Sequence, residues 1–318
     1  MLSEIQHQKE ATRFLQRVGS GQLQLPLLLV GPPGVGKRFS VLCLMRELLC
    51  TGTRVASCPC AACYQIKRAL HSDIHLLAAE KHFDVAQARS LVSQASECPS
   101  VSSFCAFIVD GADRFTPEAA DALLKVVEEP PRLARFFLLA EELSRVPAPI
   151  RSRCGLIVYR PLPAEFIASI VQRYEPDASK ALVYSRLSDG SLGRAIDYCN
   201  GGKLALRDHV VKVLRALVAR NLVETFSLVD TMKNDLDVGA DFMERVVHDV
   251  LVASLDPMRV VNLDIVDTLA ELQSAAPVAT WIGLAGKLRT MRLVGRRAAL
   301  NVSFHLKTAL AETIVAVE

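Results

Sequence analysis

The residues best suited to chemistry lie between positions 31 and 38, where the sequence reads GPPGVGKR. A glycine-rich turn that follows an apolar run and leads into a helix is the setting of a phosphate-binding P-loop. Backbone N–H groups of such a loop form an anion-binding nest, and the helix N-terminus adds its dipole. The sequence therefore predicts a nucleotide-type site that contains Gly31, Gly34, Gly36 and Lys37.

The predicted loop lacks the hydroxyl with which a P-loop coordinates magnesium. The motif places Ser or Thr after the lysine, but this position is Arg38. A guanidinium cannot coordinate Mg²⁺, and its charge competes with the metal. Ser40 lies two residues further on and faces elsewhere on the predicted helix. The sequence thus disfavours ATP hydrolysis and leaves open whether ATP with Mg²⁺ still binds.

A second candidate site residue ends an apolar strand. Asp110 closes the run Ile108-Val109-Asp110, the pattern that presents a carboxylate to Mg²⁺ in nucleotide hydrolases. In an active ATPase of this type a glutamate follows and activates the attacking water, whereas here the position is Gly111. For Asp113, two residues later, capping of a loop or helix is the preferred interpretation.

Clustered cysteines predict a metal site. Of the nine cysteines, four fall within 14 residues, at Cys50, Cys58, Cys60 and Cys63. Four thiolates in a short loop suit tetrahedral structural zinc. Because Cys58-Pro59-Cys60 is tighter than a two-residue knuckle, three cysteines with His71, or reduced thiols without metal, are alternatives. An odd cysteine total argues against a disulfide framework.

The elements that must position these residues alternate between short apolar strands and helical segments. The predicted strands are residues 27–30, 74–77, 104–110, 136–140 and 156–159. Such alternation indicates an α/β fold with a parallel sheet covered on both faces. After residue 161 the periodicity is helical, and Asn200-Gly201-Gly202 interrupts it. We therefore expect an α/β domain at 1–160, a small helical domain at 161–202 and a longer helical domain at 203–318.

Composition limits the class of protein. A chain of 318 residues with 51% hydrophobic residues can form two or three domains with sizeable cores. Its apolar runs fall short of the ~18 residues that a membrane span requires. Residues 1–20 show no signal-peptide pattern, so we expect a cytoplasmic protein. The net charge of +3 is far from that of a dedicated nucleic-acid binder.

Two further motifs carry a family resemblance. LLKVVEEPP at 123–131, together with Ser152-Arg153-Cys154, resembles the AAA+ subunits of bacterial clamp loaders. The P-loop, the cysteine cluster and His71-Ser72-Asp73 occur in the order typical of that family. The resemblance covers roughly residues 5–200 and extends weakly to the C-terminal helices. Within the family, the chain is most similar to members that share the fold but have lost the ATPase residues.

The resemblance implies a fold and a role for Arg153. The expected fold is a RecA-like AAA+ domain with an inserted zinc loop at 50–63, a helical lid and an all-α collar. In this family the arginine of the Ser152-Arg153-Cys154 motif is a finger that reaches a neighbouring subunit's ATP site and stabilises charge on the transferred phosphoryl group. Without the resemblance, a surface arginine near a strand is the simpler interpretation.

Two sensor positions of the family also depart from the motor pattern. The motor subunits carry a polar Thr or Asn after the fourth strand, where this chain has Glu141. Their lid arginine aligns with Gly193 and not with Arg194. With Arg38 and Gly111, four positions that handle Mg²⁺, water or γ-phosphate are altered, so intrinsic ATPase activity is not expected.

The resemblance predicts an ATPase-deficient clamp-loader subunit of a replicative DNA polymerase. Its partners would be gamma/tau and delta subunits in a pentameric hetero-oligomer, the sliding clamp, and primer-template DNA through the complex. An active gamma/tau-like motor ATPase is the alternative, and a generic AAA+ scaffold is a third interpretation.

Overall fold

Two compact units make up the chain. The computed structural model describes residues 1–21, 25–79, 81–232, 235–256, 259–295 and 301–315. The first unit combines Met1–Pro163 with Gly190–Gly193, and the second combines Ala164–Asp189 with Arg194–Glu318.

The described part of the first unit is built on a five-stranded sheet. Its strands are β1 Leu27–Val30, β2 Ile74–Ala78, β3 Cys105–Asp110, β4 Ala134–Ala140 and β5 Gly155–Val158. They run parallel in the spatial order β2-β3-β4-β1-β5. Because parallel neighbours need long crossovers, helices connect them, and the predicted parallel α/β sheet is confirmed.

Helices cover both faces of this sheet. They are α1 Lys9–Gly19, α2 Lys37–Leu49, α3 Ala61–Lys67, α4 Val85–Ala95, α5 Pro117–Glu128 and α6 Ala148–Arg151. Consecutive strand residues point to opposite faces. Leu28 and Phe107 are buried with α4 and α5, whereas Leu29 and Ile108 are buried with α1, α2 and α3. All four residues of β1 are therefore buried, whereas the edge strand β5 exposes Leu156 and Val158.

Side-chain caps fix where two of these helices begin. Thr116 Oγ1 accepts the Ala119 N–H at the start of α5, and proline occupies the first helical position. Asp84 and Gln87 form a reciprocal capping box at the start of α4. Aspartate and threonine are both residue types that favour the N-cap of a helix.

The second unit is helical in its described residues. Its helices are α7 Ala164–Val171, α8 Ala178–Leu187, α9 Leu192–Asn200 (whose first two residues belong to the first unit), α10 Leu204–Val218, α11 Leu222–Thr231, α12 Leu236–Val252, α13 Val266–Ala275, α14 Val278–Gly295 and α15 Val302–Val315. Tyr198 packs edge-on against Phe242 at 5.1 Å between ring centroids. Arg245 Nη1 donates to Asp189 Oδ1 at 2.7 Å. The predicted boundary between a lid and a collar at residue 202 stays a prediction.

The structure also bears on membrane association. Among the helices that it describes, none joins the length with the apolar character that a bilayer span requires.

A buried carboxylate anchors the approach to β3. Asp73 is 2% exposed, and its carboxylate accepts the backbone N–H groups of Ser100, Val101 and Ser102 at 2.7–2.9 Å, with the Ser102 hydroxyl at 2.8 Å. Burial alone would raise the pKa of Asp73, but these donors outweigh it and hold the pKa at about 2. Asp73 thereby fixes the loop that leads into β3.

We expect Asp73→Ala to lower the free energy of unfolding by about 3 kcal/mol, because it leaves three backbone N–H groups without their charged acceptor. Asp84→Ala, which removes an exposed helix cap, is the matched control and costs about 1 kcal/mol. Urea unfolding of the purified chain measures the free energy of unfolding of both variants. Equal losses of stability would contradict the role assigned to Asp73.

The same contact predicts a pH dependence. The folded pKa of Asp73 lies below the value of about 3.9 for an unfolded aspartate. Its contribution to stability is therefore fully present above about pH 4 and is lost as the pH falls towards 2. The stability difference between wild type and Asp73→Asn should shrink over this interval; a difference that stays constant would contradict the assignment.

Candidate functional site

The candidate nucleotide site lies at the carboxyl edge of the sheet, where β3, β4 and β1 end side by side. Asp110 is in register with Leu139, and Val30 with Ala140. The P-loop at 31–36 therefore emerges next to the residues that follow β3 and β4. In open parallel sheets this edge is where ligands bind.

Lys37 is engaged by its own loop. Its Nζ donates to Gly31 O and to Pro32 O, the latter at 2.8 Å. The residue is only 7% exposed. Burial lowers the pKa of Lys37, while the charges of Asp110, Glu141 and Asp113 act in the opposite direction. The ammonium that a P-loop directs at phosphates is here bound by backbone carbonyls and faces three carboxylates.

The hydroxyl nearest the P-loop lysine is also engaged. Ser40 is buried, and its Oγ donates to Gly36 O at 2.8 Å inside the first turn of α2. Arg38 is exposed on that turn. Ser40 therefore does not replace the missing magnesium ligand, in agreement with its predicted direction on the helix.

The segment 190–193 lies against the P-loop within the first unit. Gly193 N–H donates to Gly34 O at 3.1 Å. Gly34 adopts a φ of +72°, and a Cβ atom there would lie 3.1 Å from the backbone nitrogen of Gly193, so this approach favours glycine. On its other side the segment is held by Leu162 N–H, which donates to Gly190 O at 2.9 Å. Backbone of the segment 190–193 thus occupies a flank of the P-loop.

The end of β3 has no room for a glutamate in its present conformation. Gly111 adopts a φ of +101°, a left-handed value that side-chain-bearing residues avoid. A Cβ atom there would lie 3.0 Å from Ala79 Cβ. The nearby Arg114 donates to Glu141 at 3.1 Å and to Ala79 O at 2.9 Å. Glu141 is thereby paired within the chain.

Asp113 does not have its predicted capping role. The described turn at 112–114 is preceded by Gly111, and no side chain caps it. Asp113 is instead buried, and its Oδ1 has no hydrogen-bond partner among the described residues. The left-handed Gly111 starts the turn by backbone geometry alone, so the capping interpretation was wrong.

Arg153 lies in the connection between α6 and β5. Its Nε donates to Glu128 Oε2 at 3.0 Å, and its Nη1 donates to Pro149 O at 3.1 Å. Ser152 Oγ donates to the same Pro149 carbonyl. Cys154 packs inward, and burial raises the pKa of its thiol to about 12. The side chain of Arg153 is 33% exposed, so its guanidinium is partly accessible to solvent.

Sequence reasoning missed the pairing of Arg153 with Glu128. Glu128 belongs to the LLKVVEEPP segment, whose sequence indicates a family resemblance but no partner for Arg153. Nothing in the sequence places residues 128 and 153 next to each other.

The four clustered cysteines come together. Their Sγ atoms all lie within 4.8 Å of one another, with Cys50 3.6 Å from Cys58 and 3.9 Å from Cys60. A tetrahedron with metal–sulfur bonds of about 2.3 Å has sulfur–sulfur edges of about 3.8 Å. The donor set therefore fits a tetrahedral metal ion despite the short Cys58-Pro59-Cys60 spacing.

His71 is not part of this ligand group. Its Nδ1 accepts the Asp73 N–H at 3.2 Å, and the potential metal-binding group found among the described residues contains cysteines alone. Cys60 precedes α3 and Cys63 lies in its first turn. The Cys63 N–H stabilises the Cys60 thiolate and lowers the pKa of Cys60 to about 5, which favours binding of a cation.

Known proteins resemble the chain as follows. The family profile described as DNA polymerase III, delta subunit, matches residues 6–163. DNA polymerase III subunit delta' of Escherichia coli K12 is 29% identical over 253 residues, which are 77% of this chain and 75% of that protein. DNA polymerase III subunit gamma/tau of Mycobacterium bovis is 32% identical over 177 residues, which are 54% of this chain and 30% of the relative.

A solved structure supports the fold. A DNA polymerase III gamma subunit-related protein of Thermotoga maritima superimposes with a TM-score of 0.53, covering 97% of this chain and all of that one. At 17% sequence identity, this likeness concerns the fold alone.

The sulfur geometry predicts a metal requirement. We expect the purified chain to retain a divalent metal ion and Cys50→Ser to lose it, because three thiolates bind far more weakly than four. Cys98→Ser, which alters an exposed cysteine outside the cluster, is the control and should retain the metal. Elemental mass spectrometry measures the content; a folded, metal-free wild type would contradict the site.

Proposed function

We propose that the chain is a clamp-loader subunit of DNA polymerase III, of the delta-prime type and without ATPase activity of its own. The observation that carries this proposal is a P-loop whose lysine is bound internally, in a chain that also has a partly exposed arginine in the Ser152-Arg153-Cys154 motif. Such a subunit would act on ATP at a neighbour's site and not at its own.

Loss of ATPase activity is supported at each working position of the P-loop site. To bind phosphate, Lys37 would have to leave two carbonyl acceptors. Arg38 offers no magnesium ligand, and Gly111 offers no base. Glu141 would place negative charge where a motor senses γ-phosphate. Because hydrolysis depends on positioning and charge stabilisation, losing all of these contributions together would leave little catalysis.

We further propose that Arg153 acts as the finger. Its bond to Glu128 is a partly exposed ion pair, and such pairs contribute only about 0–1 kcal/mol. Breaking this ion pair, so that the guanidinium can extend towards a neighbouring subunit, therefore costs little free energy. In a neighbour's ATP site it would stabilise the charge that develops on the phosphoryl oxygens, with Ser152 and Cys154 fixing the connection from which it extends.

The remaining parts of the proposal concern assembly. The relatives named gamma/tau and delta' indicate a clamp-loader complex. We propose that the chain joins gamma/tau and delta subunits in a pentameric ring through its helical residues 203–318. The ring would act on a sliding clamp and primer-template DNA. The metal of the cysteine cluster is proposed to be zinc, since a set of four thiolates in tetrahedral array favours it, and its role would be to stabilise the inserted loop.

An active gamma/tau-like motor is the alternative function. The gamma/tau relatives are as similar in identity as the delta' relative, although over a shorter stretch. This alternative requires that Lys37 exchange its carbonyl partners for phosphate and that another group bind Mg²⁺. The contacts of Lys37, Ser40 and Gly111 disfavour it.

The finger proposal predicts the effect of Arg153→Ala in a complex reconstituted with gamma/tau and delta subunits. The ATP site facing this chain should slow by about 10³-fold, so DNA-stimulated turnover should fall to what the other sites sustain. Complex assembly, checked by size-exclusion chromatography, should be unchanged. Phosphate release measures the turnover.

Two matched variants sharpen this test. Arg151→Ala removes an exposed arginine of α6 two residues away and should leave turnover at the wild-type rate. Glu128→Ala frees the Arg153 guanidinium from its ion pair and should not reduce turnover. Equal rates for the Arg153→Ala and wild-type complexes would refute the finger.

A further inference from the structure

The surface beside the cysteine cluster is basic. Between Glu47 and Asp73 the sequence contains no aspartate or glutamate. In the same stretch Arg54, Lys67 and Arg68 are exposed. Their positive charge therefore faces solvent without a carboxylate from this segment of the chain to offset it.

An aromatic ring lies within this basic surface. Tyr64 is 53% exposed and is separated from Arg68 by one turn of α3. The Arg68 guanidinium stacks over the Tyr64 ring, with Cζ 4.6 Å from the ring centroid. This cation–π contact orients a flat guanidinium on a flat ring and presents a stacking platform at the surface.

The adjoining loop is held in place next to α3. Ala56 O accepts Lys67 Nζ at 3.0 Å and also accepts the guanidinium of Arg46, a residue only 3% exposed. These bonds bring Arg54 and Val55, which precede Ala56, to the side of α3 that carries Lys67. We call Arg54, Val55, Tyr64, Lys67 and Arg68 the module face.

We propose that the module face binds single-stranded DNA. Its three cations match a phosphate backbone, whose affinity for proteins is mainly electrostatic. Its exposed ring and stacked guanidinium match unpaired bases, which stack on aromatic side chains and on arginine planes. An acidic peptide would use the charges but leave the stacking platform idle, and duplex DNA would present no free base faces.

The proposal is independent of ATP chemistry at the P-loop and of Arg153. It assigns direct DNA contact to this chain, through a surface that lies outside the nucleotide edge of the sheet. A negative result for Arg153→Ala would not affect the proposed DNA binding, and a negative result for DNA binding would not affect the proposed role of Arg153.

Binding is measured by fluorescence anisotropy of a labelled oligothymidylate of about 20 nucleotides, titrated with the full chain. The charge variant is Arg54→Ala/Lys67→Ala/Arg68→Ala. The control removes the same charge elsewhere, with the triple substitution Arg89→Ala/Lys125→Ala/Arg132→Ala. All three control residues are exposed. Arg89 lies on α4 and Lys125 lies on α5, and these helices cover the face of the sheet opposite to the one that α3 covers.

The charge variant should raise Kd at least tenfold. Loss of three phosphate contacts should also reduce the slope of log affinity against log salt by about 2, at roughly 0.7 per phosphate for single strands. Tyr64→Ala should raise Kd about tenfold and leave the slope unchanged, because stacking is not ionic. The control triple should stay within about twofold of wild type, apart from a small general charge effect.

Three outcomes would overturn the proposal. One is equal weakening by the charge variant and the control triple, which would indicate nonspecific attraction. A second is wild-type affinity in Tyr64→Ala. The third is a competition result: polyglutamate of matched charge displaces the labelled oligonucleotide at the same concentration as unlabelled oligothymidylate does. That result would identify a protein-docking surface. Circular dichroism verifies that each variant is folded, and Tyr64→Ala decides alone if the charge variant is not.

Discussion

The ammonium of Lys37, held by the carbonyls of its own loop, is the interaction on which the rest of the site depends. A buried cation must have acceptors, and Gly31 O and Pro32 O supply them without any phosphate. Burial lowers the pKa of Lys37, and the charges of Asp110, Glu141 and Asp113 act against this effect. The fold therefore supplies hydrogen-bond acceptors for the Lys37 ammonium from its own backbone. An incoming nucleotide would have to displace these contacts of Lys37.

The sequence predicted those features that local patterns determine. Apolar runs that alternate with helical segments predicted the parallel sheet, and the clustered cysteines predicted one ligand group. Contacts between distant segments were not predictable. The bond of Gly193 to the P-loop and the pairing of Arg153 with Glu128 join residues far apart in sequence, so only the folded chain brings them together. Asp113 was misassigned because the left-handed backbone of the preceding glycine, and not a side chain, starts its turn.

In the proposed function, the chemistry of the chain lies at its surfaces and not in its own nucleotide site. Arg153 is held by a weak ion pair on one surface, and the module face presents cations and a stacking platform on another. Buried polar groups fix other parts of the fold: the Asp73 carboxylate holds the approach to β3, and Arg46 holds the loop of the module face. The core of the AAA+ fold thus serves to position groups that act on other molecules.

Equilibrium binding of ATP with Mg²⁺ to the isolated chain tests this account most directly. Isothermal titration calorimetry should be carried out on the wild type and on Lys37→Ala, in which the internal acceptors lose their donor. We predict no saturable binding of ATP at concentrations up to about 1 mM, a limit that corresponds to about −4 kcal/mol, for either protein. Micromolar binding by the wild type that Lys37→Ala abolishes would contradict the central claim.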